Sequence, residues 1–250
     1  KTGETRTACI LVATSGDTGK AALDGFHDVP GTKIMVYYPV DGVSPMQKLQ
    51  MATQEGANVE VIAIHGNFDD AQSAVKRIFT DDETRAQLDR DGMMLSSANS
   101  INWGRLAPQI AYYVSAYCDM VKAGTIRQGD RINVCVPTGN FGNILAAYIA
   151  KQMGLPVNKF ICASNRNNVL TDFFKKDGEY NRNRDFYTTT SPSMDILISS
   201  NLERLLFFAS DFDDRMVAEL MAKLNGEGSY KVASDVFAKI AADFDAGCCD

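Results

Sequence analysis

The stretch that decides the class of fold is Thr7-Ala8-Cys9-Ile10-Leu11-Val12-Ala13-Thr14-Ser15-Gly16-Asp17-Thr18-Gly19. Its first seven residues are mostly apolar, which predicts a buried β-strand. The residues that follow combine glycine with Ser, Asp and Thr, as is typical of a turn between a strand and a helix. A strand that leads directly into a helix is the repeating unit of a parallel α/β sheet.

The alternation of strand and helix patterns continues along the chain. Short apolar runs lie between turn residues, and helical patterns separate them, which predicts mainly parallel sheets with flanking helices. Pro45 after Ser44 predicts a helix start, and Gly124 and Gly154 predict two helix ends. We expect the polar residues 176–193 to form a surface loop, followed by helices without a further clear strand. The predicted strands are Thr7–Ala13, Lys33–Tyr38, Val59–Ile64, Met93–Ser96, Arg131–Val136 and Lys159–Ala163.

The composition limits the classes of protein and partner. With 250 residues, 45% hydrophobic and 22% charged, the chain has the composition of a globular protein with a sizeable core. Its 25 basic and 31 acidic side chains give a net charge of −6, which argues against nucleic acid and membrane surfaces as partners. The apolar runs are too short to span a membrane.

Cysteine and histidine usage narrows the choice further. The six cysteines show no CxxC spacing and lie mostly in apolar runs, so we expect reduced packing residues in a cytoplasmic protein. His27 and His65 are the two histidines of the chain and stand apart in the sequence, so no metal site is expected.

Two turns are suited to binding an anion at a helix N-terminus. The first contains Ser15, Gly16, Asp17 and Thr18 directly after the first strand, although an ordinary helix cap has the same composition. The second contains Gly139, Asn140, Phe141, Gly142 and Asn143 after another strand. There Gly139 and Gly142 permit positive φ and close backbone approach, so successive amides are expected to converge on a phosphate, with a tight turn without ligand as the alternative.

A third segment combines small polar side chains with an arginine. It reads Ser96-Ser97-Ala98-Asn99-Ser100-Ile101-Asn102-Trp103-Gly104-Arg105. Either Asn99, Ser100 and Arg105 bind an oxyanion, or Trp103 packs and Arg105 caps a helix. The three segments together favour a small phosphorylated or carboxylated ligand at the carboxyl ends of the strands.

The ordered set of motifs resembles threonine synthases of the long bacterial and fungal form. It consists of Thr14–Gly19, Asn99–Arg105, Pro137–Asn143, Ser191–Ile196 and Ser200–Arg204, and it covers essentially the whole chain. The resemblance implies a tryptophan-synthase-β-like fold that binds pyridoxal 5′-phosphate (PLP). It also implies a lyase that converts O-phospho-L-homoserine and water into L-threonine and phosphate.

The resemblance also implies roles for individual residues. Gly139, Asn140, Phe141, Gly142 and Asn143 match the loop that holds the cofactor phosphate, and Asp17 matches a position beside the cofactor ring. The residues that match the substrate site are Ser15, Gly16 and Thr18 for the carboxylate and Asn99, Ser100 and Arg105 for the phosphate. Residues 1–106 are expected to form a smaller α/β domain with the carboxylate loop, and residues 107–250 part of a larger domain with the cofactor-phosphate loop.

One feature of the family is missing from the sequence. The lysine that forms the Schiff base lies in a Phe-Lys-Asp segment upstream of the first motif, and this chain has no such segment. We therefore expect a fragment that is truncated at both ends, contains no catalytic lysine and is inactive by itself. Its cut sheets are expected to favour self-association.

Two other functions remain open at this point. A serine or threonine dehydratase would share the first motif and the cofactor, but it would have no use for the Asn99–Arg105 segment. A non-catalytic relative that only binds a phosphorylated amino acid would explain the missing lysine.

Overall fold

The computed structural model describes residues 3–14 and 16–249 as two compact units. The first unit ends at Asn102 and the second begins at Trp103. Each unit contains a parallel sheet with helices connecting its strands, so the predicted mainly parallel α/β class is confirmed. None of the helices in the described part of the chain is long and apolar enough to cross a membrane.

The first unit is built on a sheet of four parallel strands in the order β3-β2-β1-β4. The strands are β1 (Thr7–Ala13), β2 (Thr32–Pro39), β3 (Val59–Ile64) and β4 (Met93–Ser97). The helices are α1 (Asp17–Phe26), α2 (Pro45–Ala52), α3 (Phe68–Thr80) and α4 (Asp82–Arg90). Strand β1 lies in the interior of the sheet and is buried at its end, so the turn that follows it leaves from the core.

The sequence around α2 explains both where this helix begins and how it is held. Ser44 accepts a hydrogen bond from the Gln47 amide, and the Gln47 side chain accepts one from the Ser44 amide. This reciprocal capping box, with Pro45 as the first helical residue, satisfies amides that have no partner inside the helix. It also fixes the side chain of Gln47.

The second unit contains a parallel sheet in the order β5-β6-β9 and a separate antiparallel pair, β7-β8. The strands are β5 (Ile132–Pro137), β6 (Val157–Ser164), β7 (Glu179–Asn181), β8 (Ser229–Lys231) and β9 (Phe244–Cys248). The helices are α5 (Trp103–Leu106), α6 (Ile110–Lys122), α7 (Gly142–Gln152), α8 (Val169–Lys175), α9 (Leu202–Ala209), α10 (Asp214–Glu227) and α11 (Ser234–Asp243).

The core of the second unit is aromatic. The ring of Phe244 lies 5.0 Å from that of Phe160, 5.4 Å from Phe174 and 5.8 Å from Phe141, measured between ring centroids. Both Phe160 and Phe141 are fully buried. Tilted and stacked rings at these separations add to the free energy gained from burying their apolar area. The cluster connects β6 and β9 to the turn that precedes α7.

Two expectations from the sequence are wrong in the second unit. Strands β7, β8 and β9 were not expected, because the first two have three residues each and β9 follows directly on a helix. Residues 176–193 are not only a surface loop, since Tyr180 is buried and stacks on Tyr230 with 5.2 Å between ring centroids. Arg184 also forms an ion pair with Asp172 at 2.7 Å, where both side chains are largely buried.

The expectation that the cysteines serve as packing residues holds for two of the six. Cys9 and Cys162 are buried in the strands β1 and β6. Burial raises the pKa of the Cys162 thiol to about 12, so this side chain stays neutral in the core. The other four are exposed: Cys118, Cys135, Cys248 and Cys249.

Replacing Phe244 tests whether β9 belongs to the core. Phe244 is 4% exposed, and Phe244→Ala should lower the free energy of unfolding by about 3–5 kcal/mol through lost contacts and a cavity. Urea denaturation followed by circular dichroism measures the change. Phe186→Ala, at a ring that is 48% exposed, is the matched control and should change stability by no more than about 0.5 kcal/mol. Equal effects of the two substitutions would contradict the placement of β9.

Candidate functional site

The loop that follows β5 is held by its carbonyl groups. The Ser199 hydroxyl donates a hydrogen bond to the carbonyl of Gly139 at 2.7 Å. The backbone amide and side-chain amide of Asn201 both donate to the carbonyl of Asn140, at 3.2 and 2.9 Å. Ser199 and Asn201 are buried, so these bonds are shielded from water.

The direction of these carbonyls determines the direction of the next amides. All peptide bonds in the described residues are trans, and in a trans peptide the C=O and the following N–H point in opposite directions. The amides of Asn140 and Phe141 therefore point away from Ser199 and Asn201. Helix α7 begins immediately afterwards and has no side-chain cap on its N-terminus. Successive amides and a helix N-terminus on one side of a loop are suited to binding a phosphate.

The positive φ expected at the glycines of this loop is wrong. Neither Gly139 nor Gly142 adopts the left-handed conformation, which instead belongs to Phe141 at φ 61°. The backbone does approach Gly139 closely, since a Cβ there would lie 3.1 Å from the Ser193 carbonyl oxygen, a tight contact. The aromatic contacts of Phe141 offset the cost of its backbone conformation, which is uncommon for a bulky residue.

A buried carboxylate holds the segment that lies against Gly139. Asp195 is 5% exposed and accepts hydrogen bonds from the side-chain amides of Asn165 and Asn167 at 2.7 and 2.9 Å. It also accepts from the backbone amide and hydroxyl of Thr189. Four donors satisfy a charge that would otherwise be costly to bury. Asp195 thereby fixes the 3₁₀ turn that contains Ser193.

Sequence reasoning did not identify Asn165, Asn167 or Asp195 as site residues. The signal was nevertheless present, because Asn165 and Asn167 directly follow β6, whose carboxyl end lies beside that of β5. Polar side chains at the carboxyl ends of neighbouring parallel strands mark the ligand-binding edge of such a sheet.

Asn143, which follows the first residue of α7, uses its side chain within the protein. Its oxygen accepts a hydrogen bond from the Tyr113 hydroxyl, and its amide donates to Gln109 Oε1 at 3.1 Å. The Gln109 amide in turn donates to the backbone carbonyl of Arg105 at 2.8 Å. Arg105 lies in the short helix α5 and its side chain is exposed. Neither Gln109 nor Tyr113 lies in one of the motifs identified from the sequence.

In the first unit, the turn after β1 is organised by Thr14. Its hydroxyl accepts hydrogen bonds from the amides of Gly16 and Gly19, both at 2.9 Å. Gly16 has φ 142°, which only glycine adopts readily, and its amide therefore serves the turn itself. The carboxylate of Asp17 accepts a hydrogen bond from Gln47 Nε2 at 2.7 Å. Ser15 lies outside the described residues.

The side chain of Gln47 orients Asp17 and was not identified from the sequence as a site residue. The capping box holds Gln47 in place, so its amide can donate to Asp17 at the start of α1. The Ser-x-x-Gln spacing at residues 44–47 was the available signal. Thr18 lies in the same first turn of α1 and is half-buried.

Asn99 connects the ends of two neighbouring strands. It is 6% exposed, and its side chain accepts a hydrogen bond from the Ala13 amide at 3.0 Å and donates to the Ala13 carbonyl at 2.6 Å. This pair of bonds attaches the segment after β4 to the end of β1. Asn99 therefore supports the Thr14–Gly19 turn, while the neighbouring Ser100 is half-buried in the turn after β4.

A buried amide lies in the first unit. Gln72 is buried in α3, and its Nε2 atom has no hydrogen-bond partner among the described side chains, which do not include that of Asp69. An unsatisfied buried amide costs about 1–3 kcal/mol unless a water or a ligand completes it. Helix α3 begins just beyond the carboxyl end of β3, which places Gln72 near the ligand-binding edge of that sheet.

The donors in both units fit anionic groups and not a metal. Within the described ranges, no group of three or more His, Cys, Asp and Glu side chains could hold a metal ion. The Gly139–Asn143 loop instead presents amides, a helix N-terminus and a space that a Cβ would fill. A phosphate monoester, such as the one that PLP carries, fits this arrangement of donors.

Comparison with known proteins identifies similar sequences, although no family model matches the chain. It is 47% identical over 247 residues to human threonine synthase-like 1, covering 96% of this chain and 33% of that protein. It is 37% identical over 251 residues to threonine synthase of Saccharomyces cerevisiae, covering 97% of this chain and 47% of that protein. The chain thus spans about a third to a half of the length of these curated relatives.

Solved structures give the same result for the fold. PLP-bound threonine synthase from Brucella melitensis superimposes with a TM-score of 0.82 and 41% identity, covering 97% of this chain and 50% of that one. Yeast threonine synthase gives a TM-score of 0.80 and 35% identity, covering 99% of this chain and 48% of that one. The predicted resemblance in sequence and in fold is confirmed.

Substituting Gly139 tests whether the loop binds a phosphate. Gly139→Ala should weaken binding of inorganic phosphate by about tenfold, because the added methyl group displaces the loop and costs one charge-assisted hydrogen bond. Isothermal titration calorimetry measures the affinity. Gly226→Ala is the matched control, since nothing lies within 4 Å of a Cβ there, and it should leave phosphate binding unchanged. Unaltered binding in Gly139→Ala would place the phosphate elsewhere.

Proposed function

The chain is homologous to threonine synthases over most of its length and shares their fold, and from this we propose that the protein is a PLP-dependent threonine synthase. The proposed reaction converts O-phospho-L-homoserine and water into L-threonine and phosphate. The observation that carries the proposal is the Gly139–Asn143 loop, whose carbonyls are bound by Ser199 and Asn201 so that its amides can bind a phosphate.

The cofactor phosphate is assigned to the second unit. The amides of Asn140 and Phe141 and the N-terminus of α7 at Gly142 and Asn143 would hold it, with Gly139 providing space. When bound, PLP supplies an electron sink that makes hydrogens on carbons near the substrate amino group acidic. Asp17, oriented by Gln47, is proposed as a further cofactor-binding residue.

The substrate offers a carboxylate and a phosphate, and the chain provides a separate segment for each. The carboxylate is assigned to the motif of Ser15, Gly16 and Thr18. In the described part of this motif the Gly16 amide is bonded to Thr14, and Thr18 lies at the N-terminus of α1, which favours an anion. The phosphate is assigned to Asn99, Ser100 and Arg105. The guanidinium of Arg105 can bind two phosphate oxygens at once and retain the charge as the phosphate leaves.

The two units therefore have different proposed roles. The first carries the carboxylate segment and Asp17, and the second carries the cofactor-phosphate loop and Arg105. No lysine of this chain is proposed as the covalent anchor of the cofactor or as the base. These roles remain with a Phe-Lys-Asp segment, which the 250 residues do not contain.

A second candidate is a non-catalytic relative that only binds a phosphorylated amino acid. The chain is 47% identical to human threonine synthase-like 1, as well as 37–45% identical to the threonine synthases of two fungi. The two candidates share the substrate-binding segments and differ in whether the bound substrate reacts.

The function test uses the intact polypeptide encoded by the gene, loaded with PLP and given O-phospho-L-homoserine. We expect equal amounts of phosphate and threonine, measured by a phosphate assay and by amino-acid chromatography. Binding of O-phospho-L-homoserine without release of phosphate would favour the second candidate. Deamination of threonine with no reaction on O-phosphohomoserine would indicate a dehydratase and contradict the assignment of Arg105.

Arg105→Ala should raise KM for O-phospho-L-homoserine by about tenfold or more. The reason is that a charge-assisted bidentate contact is worth about 1.5–3 kcal/mol. Steady-state kinetics of the intact polypeptide measure the change. Arg215→Ala, at an exposed arginine in the first turn of α10, is the control and should leave KM unchanged. An unchanged KM in Arg105→Ala would remove this residue from the substrate site.

A further inference from the structure

A chain of side-chain hydrogen bonds connects two segments that have separate proposed ligands. It runs from the Tyr113 hydroxyl to Asn143 Oδ1, from Asn143 Nδ2 to Gln109 Oε1, and from Gln109 Nε2 to the carbonyl of Arg105. Asn143 belongs to the cofactor-phosphate loop, and Arg105 is assigned to the substrate phosphate. Gln109 lies between them and is assigned to neither ligand. All four residues are in the second unit.

The direction of this chain is fixed at the Arg105 end. A backbone carbonyl only accepts, so Gln109 must present Nε2 to it and Oε1 to Asn143. Asn143 must then present Nδ2 to Gln109 and Oδ1 to Tyr113. Tyr113 is therefore required to donate. Reversing either amide would bring two acceptors or two donors together, so the direction of each bond depends on that of its neighbour.

The surroundings of Tyr113 maintain this direction. Burial raises the pKa of the Tyr113 hydroxyl to about 12, so it keeps its proton at neutral and moderately alkaline pH. Gln109 and Tyr113 are half-buried, whereas Asn143 and the three hydrogen bonds are exposed to solvent. A change in the position of Asn143 can therefore be passed to the backbone of Arg105.

The backbone at Arg105 leaves its carbonyl available to a side chain. Helix α5 ends at Leu106, and a 3₁₀ turn with Pro108 separates it from α6. Gln109 closes this turn by bonding to the carbonyl four residues earlier. The side chain of Gln109 thus contributes to the position of Arg105 relative to the cofactor-phosphate loop.

We infer that Gln109 is a positioning residue that couples cofactor binding at the Gly139–Asn143 loop to substrate-phosphate binding at Arg105. The inference rests on the proposed function, because it takes the ligands of both segments from it. Gln109 makes no contact with either ligand in this assignment. It acts by holding the Gly139–Asn143 loop and Arg105 in fixed relative positions, so that ligand binding at one favours ligand binding at the other.

The test measures two affinities in the intact polypeptide. PLP binding is followed by its absorbance, and binding of the phosphonate L-2-amino-5-phosphonopentanoate to the PLP-loaded protein is followed by calorimetry. Gln109→Met keeps the side-chain volume and removes both hydrogen bonds. It should lower the affinity for PLP and for the phosphonate by about three- to tenfold each. Gln152→Met, at an exposed glutamine that ends α7, is the control and should change neither.

A double-mutant cycle separates coupling from simple loss of structure. Tyr113→Phe alone should lower the affinity for the phosphonate by about two- to threefold. In the Gln109→Met background it should have no further effect on the phosphonate, because the route to Arg105 is already broken. Equal effects of Tyr113→Phe in both backgrounds would overturn the inference, as would unchanged phosphonate binding in Gln109→Met. Thermal unfolding of each variant checks that it is folded.

Different results would contradict the proposed function and the positioning role of Gln109. If the unsubstituted protein binds neither PLP nor the phosphonate, the proposed function is wrong and the inference falls with it. If it binds both and Gln109→Met binds both equally well, the inference alone is wrong and the proposed function stands.

Discussion

The hydrogen bonds from Ser199 and Asn201 to the carbonyls of Gly139 and Asn140 are the constraint on which the site depends. Because a planar trans peptide fixes its N–H opposite its C=O, binding the carbonyls on one side directs the following amides to the other. A phosphate site built from backbone amides needs no charged side chain. It needs a second segment of chain, some sixty residues away in sequence, that satisfies the carbonyls behind it.

The surrounding packing stabilises a conformation that the loop would not adopt alone. Phe141 is left-handed, and its ring is buried against Phe174 and Phe244, so the apolar contacts offset the unfavourable backbone. Asp195 supports the same loop from the polar side, through the turn that contains Ser193. The loop is thus fixed from two sides by side chains from β9, α8 and the Asp195 turn.

The first unit uses the same principle with different residues. The hydroxyl of Thr14 binds two amides of its own turn, while Asn99 attaches that turn to the segment after β4. Gln47 is fixed by its capping box and orients Asp17 from a third position in the sequence. Two side chains from other parts of the chain, Asn99 and Gln47, therefore help to hold this turn.

The sequence by itself determined the α/β class, six of the strands and the segments with ligand-binding motifs, because apolar periodicity and turn residues are local properties. It could not identify β7, β8 and β9, the left-handed Phe141, or the supporting roles of Gln109, Gln47, Asn99 and Asp195. These follow from contacts between residues far apart in the chain, such as the ring of Phe244 beside Phe141 and the carboxylate of Asp195 beside Asn165. Local sequence favours a turn at Gly139, but only the tertiary structure decides which way its amides face, since the residues that bind its carbonyls come from elsewhere.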